Sequence, residues 1–221
     1  LSIFRDNEII LQIDRVTLQQ AWSETTFHMQ SLRDNPVTAK EEFDRILDTD
    51  DPGLNSQLTF NIPTENSFPR IGGKKPKVAI LREQGVNSHF EMAAAFIRAG
   101  FDAFDVHMSD LLEDRENLNE YDGFAACGGF SFGDVLGAGG GWAKSILYHS
   151  ILRDQFVSFF ERSNSFALGV CNGCQMLSHL KELIPGAEHW PQFLRNRSEQ
   201  FEARFNLVEI QNSQSLFLSG M

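Results

Sequence analysis

Residues 166–175 read FALGVCNGCQ, a short apolar run that leads directly into a cysteine. An apolar run of this length, bounded by small residues, predicts a strand. The residues that follow predict a helix that ends before Pro185. The glycines two positions before and after Cys171 give the spacing G-x-C-x-G, which is typical of a nucleophile elbow, a tight strand-to-helix turn with small neighbours.

Three further predicted strands precede this stretch. They are KVAILR (77–82), FDAFDVH (101–107) and GFAAC (123–127). Segments with helical spacing lie between these strands, so the alternation of strands and helices predicts a parallel sheet of the α/β class. Binding sites in such sheets form at the carboxyl ends of the strands. Cys171 and the pair Gly128–Gly129 both fall at such ends.

Two helices of this region have recognisable limits in the sequence. Ser88, followed three residues later by Glu91, predicts a capping box at the start of a helix. Gly100 is a suitable left-handed residue for the end of that helix. The spacing of apolar residues over 143–160 predicts one further helix.

The first 70 residues are more polar than the rest and contain acidic clusters and turn signals. A helical pattern around Leu18–Leu32 should end before Pro36. The segment IGGKKP (71–76) is typical of a linker. The sequence therefore predicts two parts, residues 1–70 and residues 71–221.

The composition excludes several classes of function. The chain has 30 acidic and 19 basic residues and a net charge of −11, so we do not expect a nucleic acid partner, because an acidic surface repels phosphate backbones. No apolar run approaches the roughly 20 residues of a membrane helix. Three cysteines in a chain of 221 residues do not form a disulfide framework, which favours a reducing, cytoplasmic location.

Cys171 is the candidate for covalent chemistry. The amino end of the predicted helix favours a thiolate at this position. In a nucleophile elbow, the backbone N–H of Asn172 points to the space above the sulfur, where a tetrahedral oxyanion would form. The loop at Gly128–Gly129, at the end of the preceding strand, could offer a second donor.

Three other interpretations of Cys171 remain open. Cys171 and Cys174 have the C-x-x-C spacing of a dithiol redox pair at a helix start. With His179 they match three ligands of a zinc knuckle, but the fourth position is Ile184, and a structural zinc site needs four ligands. Free cysteines are also often simply buried, and we expect this of Cys127 and Cys174.

The histidines offer no clear catalytic base. His89 lies two residues before Glu91, but Glu91 is already assigned to the capping box, so we do not expect this pair to be catalytic. Four other histidines have no carboxylate or ligand pattern around them in the sequence, namely His107, His149, His179 and His189.

Longer stretches carry a resemblance to a known family. Four segments are similar to the C-terminal region of phosphoribosylformylglycinamidine synthases of the large single-chain form: REQGVNSHFEMAAAFIRAGFDAFDVHMSDL (82–111), CGGFSFGDVLGAGGGWAKS (127–145), LGVCNGCQM (168–176) and RNRSEQFEARF (195–205). WSETTFHMQSLRDNP (22–36) and DPGLN (51–55) resemble the end of the synthetase portion of those enzymes. The resemblance implies a class I glutamine amidotransferase domain over residues 71–221. It also implies a flavodoxin-like parallel sheet with helices on both faces, preceded by a partial α+β segment.

The resemblance implies a ligase of de novo purine biosynthesis. Glutamine is hydrolysed, and ammonia passes internally to the synthetase portion for the ATP-dependent conversion of formylglycinamide ribonucleotide to the amidine. Cys171 would be the nucleophile that forms a glutamyl thioester. The N–H groups of Gly129 and Asn172 would form the oxyanion hole, and Gln175 would position the substrate.

One feature of the family has no counterpart in the sequence. The general base in the family is a histidine with a glutamate two residues later, far downstream of the nucleophile, and no such segment occurs before Met221. We therefore expect a truncated amidotransferase domain that is inactive alone and holds no cofactor or metal, with ATP and Mg²⁺ in the synthetase portion. The expected partners are glutamine and the rest of the synthetase polypeptide. The alternative is a non-catalytic or dithiol-redox α/β module that uses Cys171 and Cys174. Gln175 separates the two, because a glutamine-binding elbow needs it and a dithiol pair does not.

Overall fold

The computed structural model describes residues 1–59, 73–215 and 217–218. The chain forms two compact units, Leu1–Ile62 with Arg195–Met221, and Pro63–Leu194. The predicted boundary between residues 70 and 71 lies outside the described residues.

The first unit begins with an antiparallel hairpin. Strand β1 (Ser2–Arg5) pairs with strand β2 (Glu8–Gln12). The two turn residues, Asp6 and Asn7, have positive φ angles of 50° and 69°. Two central residues with positive φ match the right-handed twist of paired strands, and Asn and Asp tolerate this backbone better than other side chains. The sequence patterns above did not predict this hairpin.

Two helices follow in the first unit. Helix α1 (Arg15–Arg33) confirms the helix predicted around Leu18–Leu32. Helix α2 (Pro36–Arg45) was not predicted, although Asn35 and the proline after it are a recognisable start signal. The side chain of Asn35 accepts a hydrogen bond from the N–H of Val37 at 3.0 Å. With the hairpin, these helices make the predicted α+β segment.

The second unit contains a parallel four-stranded sheet. Its strands are β3 (Lys77–Arg82), β4 (Asp102–His107), β5 (Gly123–Ala126) and β6 (Phe166–Gly169), in the order β4-β3-β5-β6. All three pairings are parallel. The four predicted strands are therefore confirmed to within one or two residues at their ends.

Helices cover both faces of this sheet. They are α3 (His89–Arg98), α4 (Met108–Leu112), α5 (Gly140–Leu147), α6 (Ser150–Phe160) and α7 (Asn172–His179). Val78 and Ile80 of β3 pack in one buried cluster with Phe96 of α3. Ala79 and Leu81 belong to the larger cluster on the opposite face, which includes residues of α4 to α7. The predicted flavodoxin-like architecture is thus confirmed. In the part of the chain that the structure describes, no helix has both the length and the apolar character needed to cross a membrane.

The predicted single helix over 143–160 is wrong, because the chain breaks into α5 and α6. A helix continuing from Ile146 would direct His149 and Ser150 toward the core, since residues three and four positions apart share a face. The backbone of His149 is instead extended, with φ −113° and ψ 111°. Because of the break, a different set of residues in the second helix faces the core, and Leu152 is fully buried.

The predicted capping box of α3 is also wrong. Ser88 precedes the helix, but its backbone is left-handed, with φ 67° and ψ 19°, and its side chain makes no capping hydrogen bond. A capping serine needs an extended backbone to aim its oxygen at the first turn. Asn87 accounts for the difference, because its side chain accepts the Ser88 N–H at 2.7 Å and its N–H donates to Gly128 O at 2.8 Å. Gly100, with φ 97°, lies just after the helix as predicted.

Candidate active site

Cys171 occupies a strained turn between β6 and α7. Its φ is 52° and its ψ is −113°, a conformation that costs an ordinary residue about 1–3 kcal/mol. Two backbone hydrogen bonds hold the turn, from Gly173 N–H to Val170 O at 2.9 Å and from Gln175 N–H to Cys171 O at 3.0 Å. The side chain of Cys171 is exposed. The structure thus has the tight strand-to-helix turn that the sequence predicted.

The glycines around Cys171 are required by close packing. A Cβ atom added at Gly173 would lie 2.1 Å from the carbonyl oxygen of Ala126 in β5. A Cβ atom added at Gly169 would lie 2.7 Å from Leu177 Cδ1 and 2.8 Å from Cys174 Cα. All three distances are shorter than van der Waals contact, so larger residues would push α7 away from the sheet.

The glycine pair after β5 lies directly against Cys171. A Cβ atom added at Gly128 would be 3.2 Å from Cys171 Cβ and 3.9 Å from its Sγ. Gly129 has a φ of 110°, which favours glycine, and it bridges Val86 in an isolated antiparallel pair. Among the hydrogen bonds of the described residues, none uses the N–H of Gly129 or of Asn172. Two free backbone donors therefore flank the elbow.

Asn172 and Gln175 are joined by their side chains. Asn172 is 1% exposed, and its Nδ2 donates to Gln175 Oε1 at 3.3 Å. Gln175 is half-buried on the first turn of α7. The structure thus brings together Cys171, the glycine loop, Asn172 and Gln175.

Two residues of this site were missed by the sequence analysis, the buried Ser131 and the half-buried Asp134. Ser131 is fully buried and donates both its N–H and its hydroxyl to Asn172 Oδ1, at 3.2 and 2.7 Å. Asp134 Oδ1 accepts hydrogen bonds from Asn172 Nδ2 at 3.4 Å and from Gly139 N–H at 3.0 Å. Both polar residues lie in the run FSFGD directly after the glycine pair, and this position was the available signal.

The other two cysteines differ from each other. Cys127 is fully buried, as predicted, and burial raises the pKa of its thiol to about 11, with smaller contributions from the charges of Asp105 and Glu91. The prediction that Cys174 is buried is wrong, because the residue is exposed on α7. Protein atoms around its sulfur, and to a lesser degree Cys171, nevertheless raise the pKa of the Cys174 thiol. All three cysteines are free thiols.

The sequence shows no carboxylate pattern around His107, but the fold brings a carboxylate close to it. His107 Nε2 lies 3.6 Å from Glu83 Oε1, and Glu83 is 8% exposed. The sequence could not show this, because the two residues end neighbouring strands. His107 Nδ1 accepts the Ser109 N–H at 3.1 Å and so caps α4. This local bond gives His107 a structural role.

His89 lies near the same edge of the sheet, after β3. The Nδ1 atom of His89 is buried without a hydrogen-bond partner among the described residues. Its ring lies against that of Phe90, with centroids 4.4 Å apart. Within the described ranges, no cluster of three or more His, Cys, Asp and Glu residues could hold a metal ion.

The family of CobB/CobQ-like glutamine amidotransferase domains matches residues 75–221, which is well over half of the chain. The chain belongs to this family. The match includes the parallel sheet, the glycine loop after β5 and the elbow at Cys171. The elbow at Cys171 and the glycine loop beside it therefore both lie within the glutamine amidotransferase domain.

One solved structure is also similar to this amidotransferase chain. It is the structure of PurLQS from Thermotoga maritima, with 24% sequence identity and a TM-score of 0.40. The similarity covers 48% of this chain and 45% of that chain. The amidotransferase chain thus spans less than half the length of that solved chain.

Proposed function

We propose that Cys171 hydrolyses the side-chain amide of glutamine through a covalent thioester. The observation that supports this most directly is the strained, exposed Cys171, whose Cβ lies against the glycine loop at Gly128. Strained backbone conformations persist where the surrounding structure imposes them, and they concentrate at active sites. A dithiol pair does not require a glycine loop packed on the first cysteine.

The proposed reaction proceeds in two steps. The Sγ of Cys171 attacks the γ-carbonyl carbon of glutamine, and the carbonyl electron pair moves to the oxygen. When the oxyanion collapses, the C–N bond breaks, and the nitrogen takes a proton and leaves as ammonia. Water then attacks the glutamyl thioester in the same way, which gives glutamate and restores the thiol.

The free N–H groups of Gly129 and Asn172 would stabilise the oxyanion in both steps. Backbone donors fixed before the reaction act without reorganisation, and removal of one such donor typically lowers kcat by about 10²–10³. Gln175 would orient the bound glutamine. Its side chain is held by Asn172 on the first turn of α7, next to the nucleophile.

The reaction also needs a base to take the proton of Cys171 and return it to the leaving nitrogen. We assign this role to no residue of residues 1–221. His107 is occupied as a helix cap, and His89 is the first residue of α3, the first helix after β3. The family resemblance places the base in a downstream histidine–glutamate pair, so we propose that these 221 residues alone do not turn over glutamine.

We further propose that the ammonia serves a phosphoribosylformylglycinamidine synthase of the large single-chain form. The support is the resemblance of the sequence over 82–111, 127–145, 168–176 and 195–205. Such an enzyme is a ligase that uses ATP and Mg²⁺ in its synthetase portion. The residues described here offer no cluster for the metal, so no step is assigned to it in this chain.

The proposal can be tested with a glutamine-like diazoketone on the longest natural form of the polypeptide. Peptide mass spectrometry should find one adduct, on Cys171, and an excess of glutamine should suppress it. Cys171→Ala should abolish the adduct, whereas the matched variant Cys174→Ala should retain it. If the diazoketone leaves Cys171 unmodified and the two cysteines are found in a disulfide, the redox module is the better interpretation.

A further inference from the structure

A network of side chains, in which Ser131 and Asn172 are buried and Asp134 and Gln175 are half-buried, connects the glycine loop with the nucleophile elbow. At its centre is the amide of Asn172, which is 1% exposed. The amide oxygen accepts two hydrogen bonds from Ser131, and the amide nitrogen donates to Asp134 Oδ1 and Gln175 Oε1. Ser131 and Asp134 lie about 40 residues earlier in the chain, on the other side of the site.

The chemistry of the partners fixes the orientation of this amide. The backbone N–H of Ser131 can only donate, so the atom that faces it must be the amide oxygen. The carboxylate of Asp134 can only accept, so the atom that faces it must be the amide nitrogen. A flipped amide would oppose both partners at once, and therefore the network has a single arrangement.

The loop in this network has a backbone that ordinary residues avoid. Phe132, Asp134 and Ala138 have φ angles of 52°, 51° and 49°. Each residue that is not glycine costs of the order of 1 kcal/mol in this region, so the loop needs tertiary contacts to keep its shape. On one side, Phe130 N–H and Phe132 N–H donate to Gly85 O and Gln84 O, both at 2.9 Å.

On the other side, the loop is held by Asn172. Ser131 is only two residues after Gly129, whose N–H is one of the two proposed oxyanion donors. The other donor is the backbone N–H of Asn172 itself. The same residue thus contributes one donor with its backbone and fixes the position of the other with its side chain.

We propose that Ser131 and Asp134 are positioning residues that set the oxyanion hole through the Asn172 amide. This inference rests on the proposed glutamine chemistry. Ser131 fixes the distance between the Gly129 N–H and Cys171. Asp134 orients the amide and holds the Gly139 N–H, which precedes α5. Neither residue touches the substrate in this arrangement, and the charge of Asp134 is not needed, because only its oxygen as an acceptor is used.

The test compares two reagents on the longest natural form of the polypeptide. A glutamine-like diazoketone needs the pocket and the oxyanion hole, whereas iodoacetamide needs only the thiolate. We expect Ser131→Ala and Asp134→Ala to slow diazoketone labelling of Cys171 by about 10- to 100-fold, the scale of a misplaced catalytic group. Labelling of Cys171 by iodoacetamide should change by less than about twofold, because an elbow that is still folded keeps Cys171 exposed.

Two further variants separate positioning from folding. Asp134→Asn keeps an oxygen that accepts from Gly139 N–H and from the Asn172 amide, so it should restore labelling to within about threefold of the natural protein. Ser178→Ala is the matched control, because Ser178 is a buried serine on α7 that donates to Pro191 O at 2.5 Å, away from the glycine loop. Ser178→Ala should leave the labelling of Cys171 by both reagents unchanged.

The outcomes are distinct. If the natural protein is labelled by the diazoketone and Ser131→Ala and Asp134→Ala react equally fast, the positioning role is wrong and the proposed function stands. A parallel change with both reagents means that the network only supports the fold, which also overturns the role. If the natural protein is not labelled at all, this inference is lost together with the proposed function.

Discussion

The strain at Cys171 predicts an unusual order of stability among its variants. An ordinary residue at φ 52° and ψ −113° is strained, whereas glycine, without a Cβ, adopts this backbone readily. The side chain of Cys171 is exposed, so its loss removes little buried surface. We therefore expect Cys171→Gly to be more stable than Cys171→Ala.

The magnitude follows from two opposing effects. Glycine relieves a strain of about 1–3 kcal/mol. It also gives the unfolded chain extra freedom, which lowers the free energy of unfolding by about 0.5–1 kcal/mol relative to alanine. The net expectation is that the free energy of unfolding of Cys171→Gly exceeds that of Cys171→Ala by up to about 2.5 kcal/mol, with a central value of about 1 kcal/mol.

The buried thiol of Cys127 provides the assay. Cys127 is fully buried in the second unit, so its alkylation at increasing urea concentrations reports the opening of that unit within the natural polypeptide. Peptide mass spectrometry separates Cys127 from the other cysteines. The matched control is Cys174, which is also exposed but lies in the helical backbone of α7. There, glycine should be less stable than alanine by about 0.5–1 kcal/mol.

The result that refutes this reasoning is the same order at both positions. If Cys171→Gly is less stable than Cys171→Ala by about as much as glycine is at Cys174, the elbow stores no strain. The conformation of Cys171 would then not be imposed by the surrounding structure.

Three further predictions concern packing and ionisation. Gly173→Ala should lower the free energy of unfolding by about 1–3 kcal/mol, because its Cβ would lie 2.1 Å from Ala126 O. The control Gly140→Ala should be nearly neutral, because its Cβ would meet only side chains at 3.4 Å or more. Equal urea midpoints for the two variants would contradict this difference. The pKa of Cys127 is raised to about 11 by burial, so the urea midpoint of the unit should fall as the pH rises past the pKa of an unfolded thiol, about 9. Cys127→Ala should remove this effect. The pKa of Asp105 is lowered mainly by its hydrogen bond to the Arg82 guanidinium. Above pH 4, Asp105→Asn should therefore lower the free energy of unfolding by at most about 1 kcal/mol, and this difference should fade as the pH falls through the pKa of Asp105 in the folded protein. A difference that is constant with pH would exclude the ion pair as its cause.

The sheet and the elbow could be predicted because their signals are local. A strand covered on both faces has a continuous apolar sequence, as the two central strands β3 and β5 do, and the edge strands β4 and β6 were predicted from short segments of the same length. The glycines around Cys171 were also informative, since each meets the tight packing of a single turn. In these cases, the residues that determine the structure lie within a few positions of each other in the chain.

The errors arose where a distant part of the chain determines the local structure. Ser88 has the sequence of a capping serine, but the bond from Asn87 to Gly128, some 40 residues away, goes with a left-handed backbone at Ser88. The 3.6 Å approach of His107 to Glu83 exists only because β4 lies beside β3. The partners of the Asn172 side chain could not be predicted for the same reason, because a sequence pattern does not specify contacts across a sheet.

The order of the strands also bears on when the cysteine acquires its conformation during synthesis. Chains generally fold from their N-terminal parts first as they leave the ribosome. Among the described strands, β6 pairs only with β5, and β5 with β3, so every partner of β6 emerges before β6 does. Cys171 follows β6 and can be held in its turn only when this sheet and α7 are in place. Until then, Cys171 has no fixed conformation in the nascent polypeptide, and its strained turn forms only with the last strand of the described sheet.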